Sequence, residues 1–344
     1  MAVNLQQIQT QQERAILKSF MTSVQSVKDQ AVIAEIVRLI ELGQVEAIVD
    51  LLQLDPATFR PLENATLAAY EIGGATGAAQ IGRIPTNAGT LVARFNVRNP
   101  RAEAFIRDLS SRKIVEIAEE TKEVVRTVLR SGLAEGANPR STALDLVGRI
   151  DPVTRARTGG HIGLTSQQSQ WIVNARKELE ELNPNYLTRA LRDKRLDSAF
   201  KKSLDSGVTM PSKQIDTAIA RMQARALRSR AEAIAQTESL QALSEGQNEA
   251  IKQALETADL EDEFTRKFWV STNAGKEPRI EHAAVEAKYK EGLPIDEYFI
   301  VGGEPMLRPR QMGASAENII RCKCYLRYRV NFAGQAAKNI RGFG

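Results

Sequence analysis

Apolar residues recur at helical spacing through most of the first 270 positions. Ile33, Ile36, Val37 and Ile40 line one helix face, and Ala47, Leu51 and Leu52 continue the pattern beyond Gly43. Between 73 and 94 the pattern breaks. Gly73, Gly74, Gly77, Gly82, Pro85 and Gly89 follow in quick succession, predicting a loop or an irregular small-residue helix. Asn99-Pro100 then supplies a cap and a first-turn proline for a long helix carrying Phe105, Leu109, Ile114, Ile117, Val124, Val128 and Leu129, ending near Gly132.

A second boundary runs from Gly148 to Gly163. Thr165-Ser166-Gln167-Gln168 has the spacing of a capping box, in which the Thr hydroxyl and the Gln side chain each bond the other residue's backbone N–H. Ile172, Ala175, Leu179 and Leu182 follow at helical spacing, and Asn183-Pro184 stops that helix. Residues 186–258 read as helical again, interrupted at Gly207 to Pro211. The last segment runs from about Lys213 for ten or more turns.

From Phe268 the period changes. Phe268-Trp269-Val270, Tyr298 to Val301 and Tyr325 to Val330 are β-type runs separated by Gly and Pro, with one short helix between Ile280 and Lys290. The fold class expected is mainly α with a small C-terminal α+β module. The expected division is an N-terminal helical segment (1–60), a helical body (61–267), the α+β module (268–333) and a peripheral tail (334–344).

Composition narrows the function classes. The chain has 344 residues, 42% hydrophobic and 26% charged, which suits a folded protein and is too apolar for general disorder. No apolar run approaches the ~20 residues of a membrane helix, and the first ten residues lack the pattern of a secretory signal. A soluble, intracellularly made protein with no membrane partner is the expectation. An aromatic content of 5% argues against a stacking platform for single strands, and a net charge of +5 permits contact with DNA without requiring it.

The only two cysteines, Cys322 and Cys324, flank one residue, so a bridge between them would close a small strained ring. Free thiols or metal ligands are the remaining readings. With His282 they form the chain's one soft metal-ligand set, suited to Zn²⁺, with Glu281, Glu286 or a water as a fourth ligand. The alternative is one Cys facing the core and one the rim of a terminal strand. Gly159-Gly160-His161-Ile162-Gly163 lacks the Lys-Ser/Thr of a phosphate-binding loop and reads as a tight turn. Glu261-Asp262-Glu263 mimics the paired glutamates of one branch of ADP-ribosyltransferases, but three acids in a row also suit a solvated turn.

Charge is unevenly spread. Between Arg189 and Arg230 there are eleven Lys/Arg and four Asp, an excess larger than that of the whole chain. Arg221, Arg225 and Arg228 repeat at i, i+4 and i+7 and so share a helix face. That face is either an electrostatic surface for nucleic acid or an acidic partner, or a solvated face making local pairs.

Five ordered segments resemble the phage Mu F-like head morphogenesis proteins. They are Thr158-Gly-Gly-His-Ile-Gly-Leu-Thr-Ser-Gln-Gln168, the run from Tyr186 to Asp197, Arg230-Ala-Glu-Ala-Ile-Ala-Gln-Thr-Glu238, Trp269 with Arg279-Ile-Glu-His282, and Asn318-Ile-Ile-Arg-Cys322-Lys-Cys324. The resemblance spans roughly 100–332. Arg321 stands where the family usually has Asn before the first Cys, and the family's Asp near the Arg and His is absent, with Asn273 and Glu277 nearest. The resemblance implies a minor capsid protein of a tailed phage. Such a protein is made in the host cytoplasm and carried in a few copies inside the virion head, near the portal protein. It aids assembly or early DNA delivery, with no catalysis of its own. Major capsid or scaffold protein and packaged double-stranded DNA are the further partners expected. The alternative is a metal-dependent or ADP-ribosyltransferase-like enzyme using the C-terminal module.

Overall fold

The computed structural model describes residues 5–86, 89–151, 155–258, 264–271, 279–311, 313–320 and 322–334. The protein is mainly α, with a small C-terminal α+β module. The helices are α1 (Leu5–Gln30), α2 (Ile33–Glu41), α3 (Val45–Leu51), α4 (Arg60–Ile81), α5 (Pro100–Ala134), α6 (Pro139–Val147), α7 (Ser166–Glu180), α8 (Asp197–Ser206), α9 (Ser212–Thr257), α10 (Ile280–Lys288) and α11 (Ala316–Ile319). Strands pair only as two-stranded antiparallel ribbons among the described residues: β1 (Arg83–Thr86) with β2 (Gly89–Val92), β3 (Arg149–Ile150) with β4 (Arg157–Thr158), β5 (Thr265–Val270) with β8 (Tyr325–Val330), and β6 (Phe299–Val301) with β7 (Glu304–Met306). None of the described helices is long and apolar enough to cross a membrane.

The chain divides into two compact units: residues 1–17, 63–110 and 233–344 in one, and 18–62 and 111–232 in the other. In the second unit α2 packs on α3 and α6, and Phe20 stacks on Phe59 at 6.3 Å between ring centroids. The Thr165 capping box is present, with Gln168 N donating to Thr165 Oγ1 at 3.1 Å and Thr165 N to Gln168 Oε1 at 3.2 Å. The glycine-rich turn ahead of it spends its amides internally: Gly160 N bonds Gln223 Oε1, and His161 N bonds the carbonyls of Asp145 and Leu146. Those amides are therefore not open to a phosphate. His161 is buried and its Nδ1 lies 2.7 Å from Ser169 Oγ.

The helical stretch expected from residue 186 is not continuous. Residues 184–188 and 194–196 form short 3₁₀ turns, and α8 begins only at Asp197. Asp193 explains the break. Its side chain is 0% exposed; its carboxylate caps the second turn through Arg195 N and accepts from Arg221 Nη1 at 2.6 Å and Arg225 Nη2 at 3.4 Å. Its N-cap role and its two arginine partners hold the chain in this loop between the two turns.

Burial raises the Asp193 carboxyl, but the Arg221 hydrogen bond and its neighbours outweigh it and leave the pKa below the ordinary value. A depressed folded-state pKa contributes stability above the unfolded value of ~3.9, and that contribution is lost as pH falls through the folded pKa. Asp193→Asn is therefore expected to lower the urea midpoint at pH 7. The gap from wild type should narrow steadily below pH 4; a gap independent of pH would refute the ion-paired role.

In the first unit the glycines between 73 and 77 sit inside a helix, α4, the small-residue-helix alternative for this stretch rather than the loop, while Pro85 and Gly89 lie in the β1–β2 ribbon, which neither alternative foresaw. The α4 glycines serve a close crossing with α9. A Cβ at Gly73 would lie 2.3 Å from Leu243 O, one at Gly77 2.7 Å from Gln247 O, and one at Gly246 2.1 Å from Tyr70 O. Beyond the crossing, Arg101 Nη2 bonds Glu249 Oε1 at 3.1 Å and Glu256 Oε2 at 3.0 Å. The far end of α9 joins the C-terminal module. Ile251 and Leu255 share one core with Trp269, Val285, Ile295, Phe299, Val301, Met306, Leu326 and Tyr328.

Candidate metal centre

Three elements bring the soft ligands together. His282 lies in the first turn of α10, on the face turned into the module core beside Val285. Cys322 and Cys324 stand two residues apart on the approach to β8, downstream of α11. All three are buried, at 2%, 4% and 3% exposure. Their ligand atoms lie within 4.8 Å of one another. Both sulfurs face one nitrogen: His282 Nδ1 is 3.4 Å from Cys322 Sγ and 3.5 Å from Cys324 Sγ.

A neutral imidazole nitrogen has one lone pair and accepts one good hydrogen bond, so two thiols at equal range are not both satisfied by it. A tetrahedral zinc with Zn–S near 2.3 Å and Zn–N near 2.0–2.1 Å has S···N edges of about 3.5 Å. The observed separations match those edges, so the donor set fits a dication held by two thiolates and one imidazole.

The tautomer is fixed from behind. Asn318 Nδ2 donates to Val301 O at 3.2 Å and to Glu304 Oε2 at 2.9 Å, leaving its Oδ1 as the acceptor 3.3 Å from His282 Nε2. The imidazole proton therefore sits on Nε2, and the Nδ1 lone pair points at the sulfurs. Glu304 also accepts from Ser315 N at 3.0 Å, and these bonds, the Asn318 amide foremost, hold its carboxyl below the usual range.

Two further donors surround the cysteines. Trp269, edge-on to His282 with ring centroids 5.7 Å apart, has a buried Nε1 with no hydrogen-bonding oxygen or nitrogen partner. Arg310 is 1% exposed; Nη1 donates to Gln236 O, while Nε and Nη2 lack an oxygen or nitrogen partner. Its guanidinium, lowered to about 10 by burial, is held up chiefly by the charge of Cys322. The Cys324 thiol hydrogen bond pulls Cys322 below the ordinary thiol range against the cost of burial, and the Arg310 charge acts in the same direction. Cys324 is pushed up by the same hydrogen bond and by burial. A cation bound between the two sulfurs would displace the thiol protons.

Of the ligands expected from the sequence, His282, Cys322 and Cys324 converge. Glu281 is exposed and Glu286 is engaged by Ser271, whose backbone N lies 2.9 Å from Glu286 Oε2; neither belongs to the cluster. Glu261, Asp262, Glu263, Asn273, Glu277 and Arg321 lie outside the described residues. Arg310 and Glu304 carry no sequence signal, being an arginine in a proline-rich loop and an acid in a three-residue strand.

No known protein-family model, curated protein or solved structure matches the chain.

The basic stripe of α9 is also in place. Arg221 and Arg225 are held by Asp193, with Arg225 Nη1 also donating to the Leu191 and Arg192 carbonyls, and Arg228 Nε bonds Glu232 Oε1 at 2.9 Å. All three are partly exposed, yet each guanidinium already has an internal partner.

Proposed function

We propose that the chain is a structural, non-enzymatic minor capsid protein of a tailed-phage head, with a C-terminal module stapled by one zinc ion. The observation that carries the staple is the pair of sulfurs at 3.4 and 3.5 Å from a single imidazole nitrogen, sealed beneath the surface. Three protein ligands leave the fourth tetrahedral position to an enclosed water or another donor, and because all three are buried that position is shut off from a substrate, which is the support for a structural ion. The head-protein reading rests on the order of the five segments that resemble the Mu F-like proteins, from Thr158 to Cys324. Portal protein is the first partner on this reading, with major capsid or scaffold protein and packaged duplex DNA as further contacts in the head interior.

Two measurements separate the parts. Mass spectrometry of purified virions is expected to find the chain at a few copies per particle, and its absence from intact particles would overturn the head reading. Metal analysis of the purified protein is expected to return one zinc per chain. A chain that stays metal-free after zinc supplementation would remove the staple and leave the head reading standing.

A further inference from the structure

The β5–β8 ribbon carries a charge pattern that the metal site does not use. Its register pairs Arg266 with Arg329, Phe268 with Arg327 and Val270 with Tyr325. Residues paired across a ribbon share a face, so these six form its outer surface, while Lys267, Trp269, Leu326 and Tyr328 point into the core. Arg266, Arg327 and Arg329 are exposed. Arg327 and Arg329 both lie over the Phe268 ring, at 5.3 and 5.5 Å from its centroid. Neither strand contains an acid, and among the described residues the three guanidiniums make no ion pair or hydrogen bond.

This arrangement works against folding. Like charges directly opposite one another destabilise a β pair, and Arg266 faces Arg329 with no counter-ion on the ribbon. The Phe268 ring holds two exposed guanidiniums within cation–π range, and an exposed guanidinium can bond a phosphate with two parallel hydrogen bonds. Arg327 and Arg329 are two residues apart, about 7 Å along the strand, which lets them reach neighbouring backbone phosphates. Phe268 is occupied by arginine on its face and is not free to stack a base, so the pattern suits a duplex backbone better than an unstacked strand.

We infer that the outer face of the β5–β8 ribbon, through Arg266, Arg327 and Arg329 braced on Phe268, is a phosphate-backbone binding surface for duplex DNA. It differs from the α9 stripe, whose arginines are already partnered. It stands on the ribbon's own residues and does not depend on the head-protein reading.

The test uses the full chain, zinc-replete, and a fluorescent duplex titrated at several salt concentrations. Wild type is expected to bind with an affinity that falls steeply with salt. Arg266→Ala/Arg327→Ala/Arg329→Ala should weaken binding at least tenfold and flatten the log–log salt slope by about 0.9 for each phosphate left unneutralised. The charge-matched control Arg195→Ala/Lys201→Ala/Lys202→Ala should leave the slope nearly unchanged. A single Arg329→Glu separates binding from folding: it gives Arg266 an opposite charge, so thermal stability should rise while DNA affinity falls. Equal losses in the two triple variants, no binding by wild type at low salt, or tighter binding of a single strand or of polyglutamate than of the duplex would each overturn the assignment.

Discussion

Gly246→Ala is expected to destabilise the first unit strongly, although alanine is the better helix former. The propensity gain is about 1 kcal/mol. Against it stands a methyl group placed 2.1 Å from the Tyr70 carbonyl oxygen and 2.7 Å from Gly74 N. Both neighbours are backbone atoms of α4, so no rotamer change relieves the clash and the helices must separate. Overpacking of a rigid core costs about 1–3 kcal/mol and more where nothing yields. Separation would also loosen Tyr70, which packs against Phe95 and Phe105 at 5.6 and 5.0 Å between centroids. The expected net loss is about 3 kcal/mol or more, read as a shift of the urea midpoint by circular dichroism. A midpoint equal to or above wild type would mean that α4 and α9 do not meet as described.

Removing the metal ligands should produce the second large effect. Cys324→Ser leaves the volume nearly unchanged but removes a thiolate, and the variant is expected to lose stoichiometric zinc. A ligand present at a thousand times its dissociation constant stabilises the folded state by about 4 kcal/mol, and a loss of that size is the expectation for the C-terminal core. Chelation of wild type should reproduce it, and zinc should restore wild type without restoring the variant. Asn318→Ala tests the bracing separately: it keeps all three ligands, frees His282 Nε2 and should weaken zinc binding roughly tenfold or more. If Cys324→Ser retains full zinc and full stability, the cysteines are ordinary core residues. In a Trp171→Phe background tryptophan fluorescence reports the outcome locally, because Trp269 is then the one tryptophan and lies against His282.

The α4–α9 crossing and the ligand cluster both join distant positions, unlike the features that are legible along the chain. The Thr165–Gln168 box, the Asn99-Pro100 start of α5, the stop at Asn183-Pro184 and the helix between Ile280 and Lys288 were legible because each depends on neighbours within a few residues. The three β runs were legible from their residue types, and the mainly-α class with its small mixed module followed from the change in period near 268. The ligand types were legible too, since His282, Cys322 and Cys324 are the soft ligands of the C-terminal third.

Tertiary structure decided the rest. A glycine run lowers helix propensity locally, and only the approach of α9 explains why α4 keeps Gly73 and Gly77 as a regular helix. Helical spacing puts Arg221 and Arg225 on one face, but Asp193, 28 and 32 positions away, folds back to hold them. No spacing rule places Arg310 beside Cys322, or Asn318 behind an imidazole 36 positions earlier. The pairing of Arg266 with Arg329 follows from a strand register joining segments some sixty residues apart. Propensity, caps and period are properties of a few consecutive residues and can be read in order. Counter-ions, close helix crossings and ligand convergence join residues that meet only after the chain has closed its long loops, and folding alone determines which residues those are.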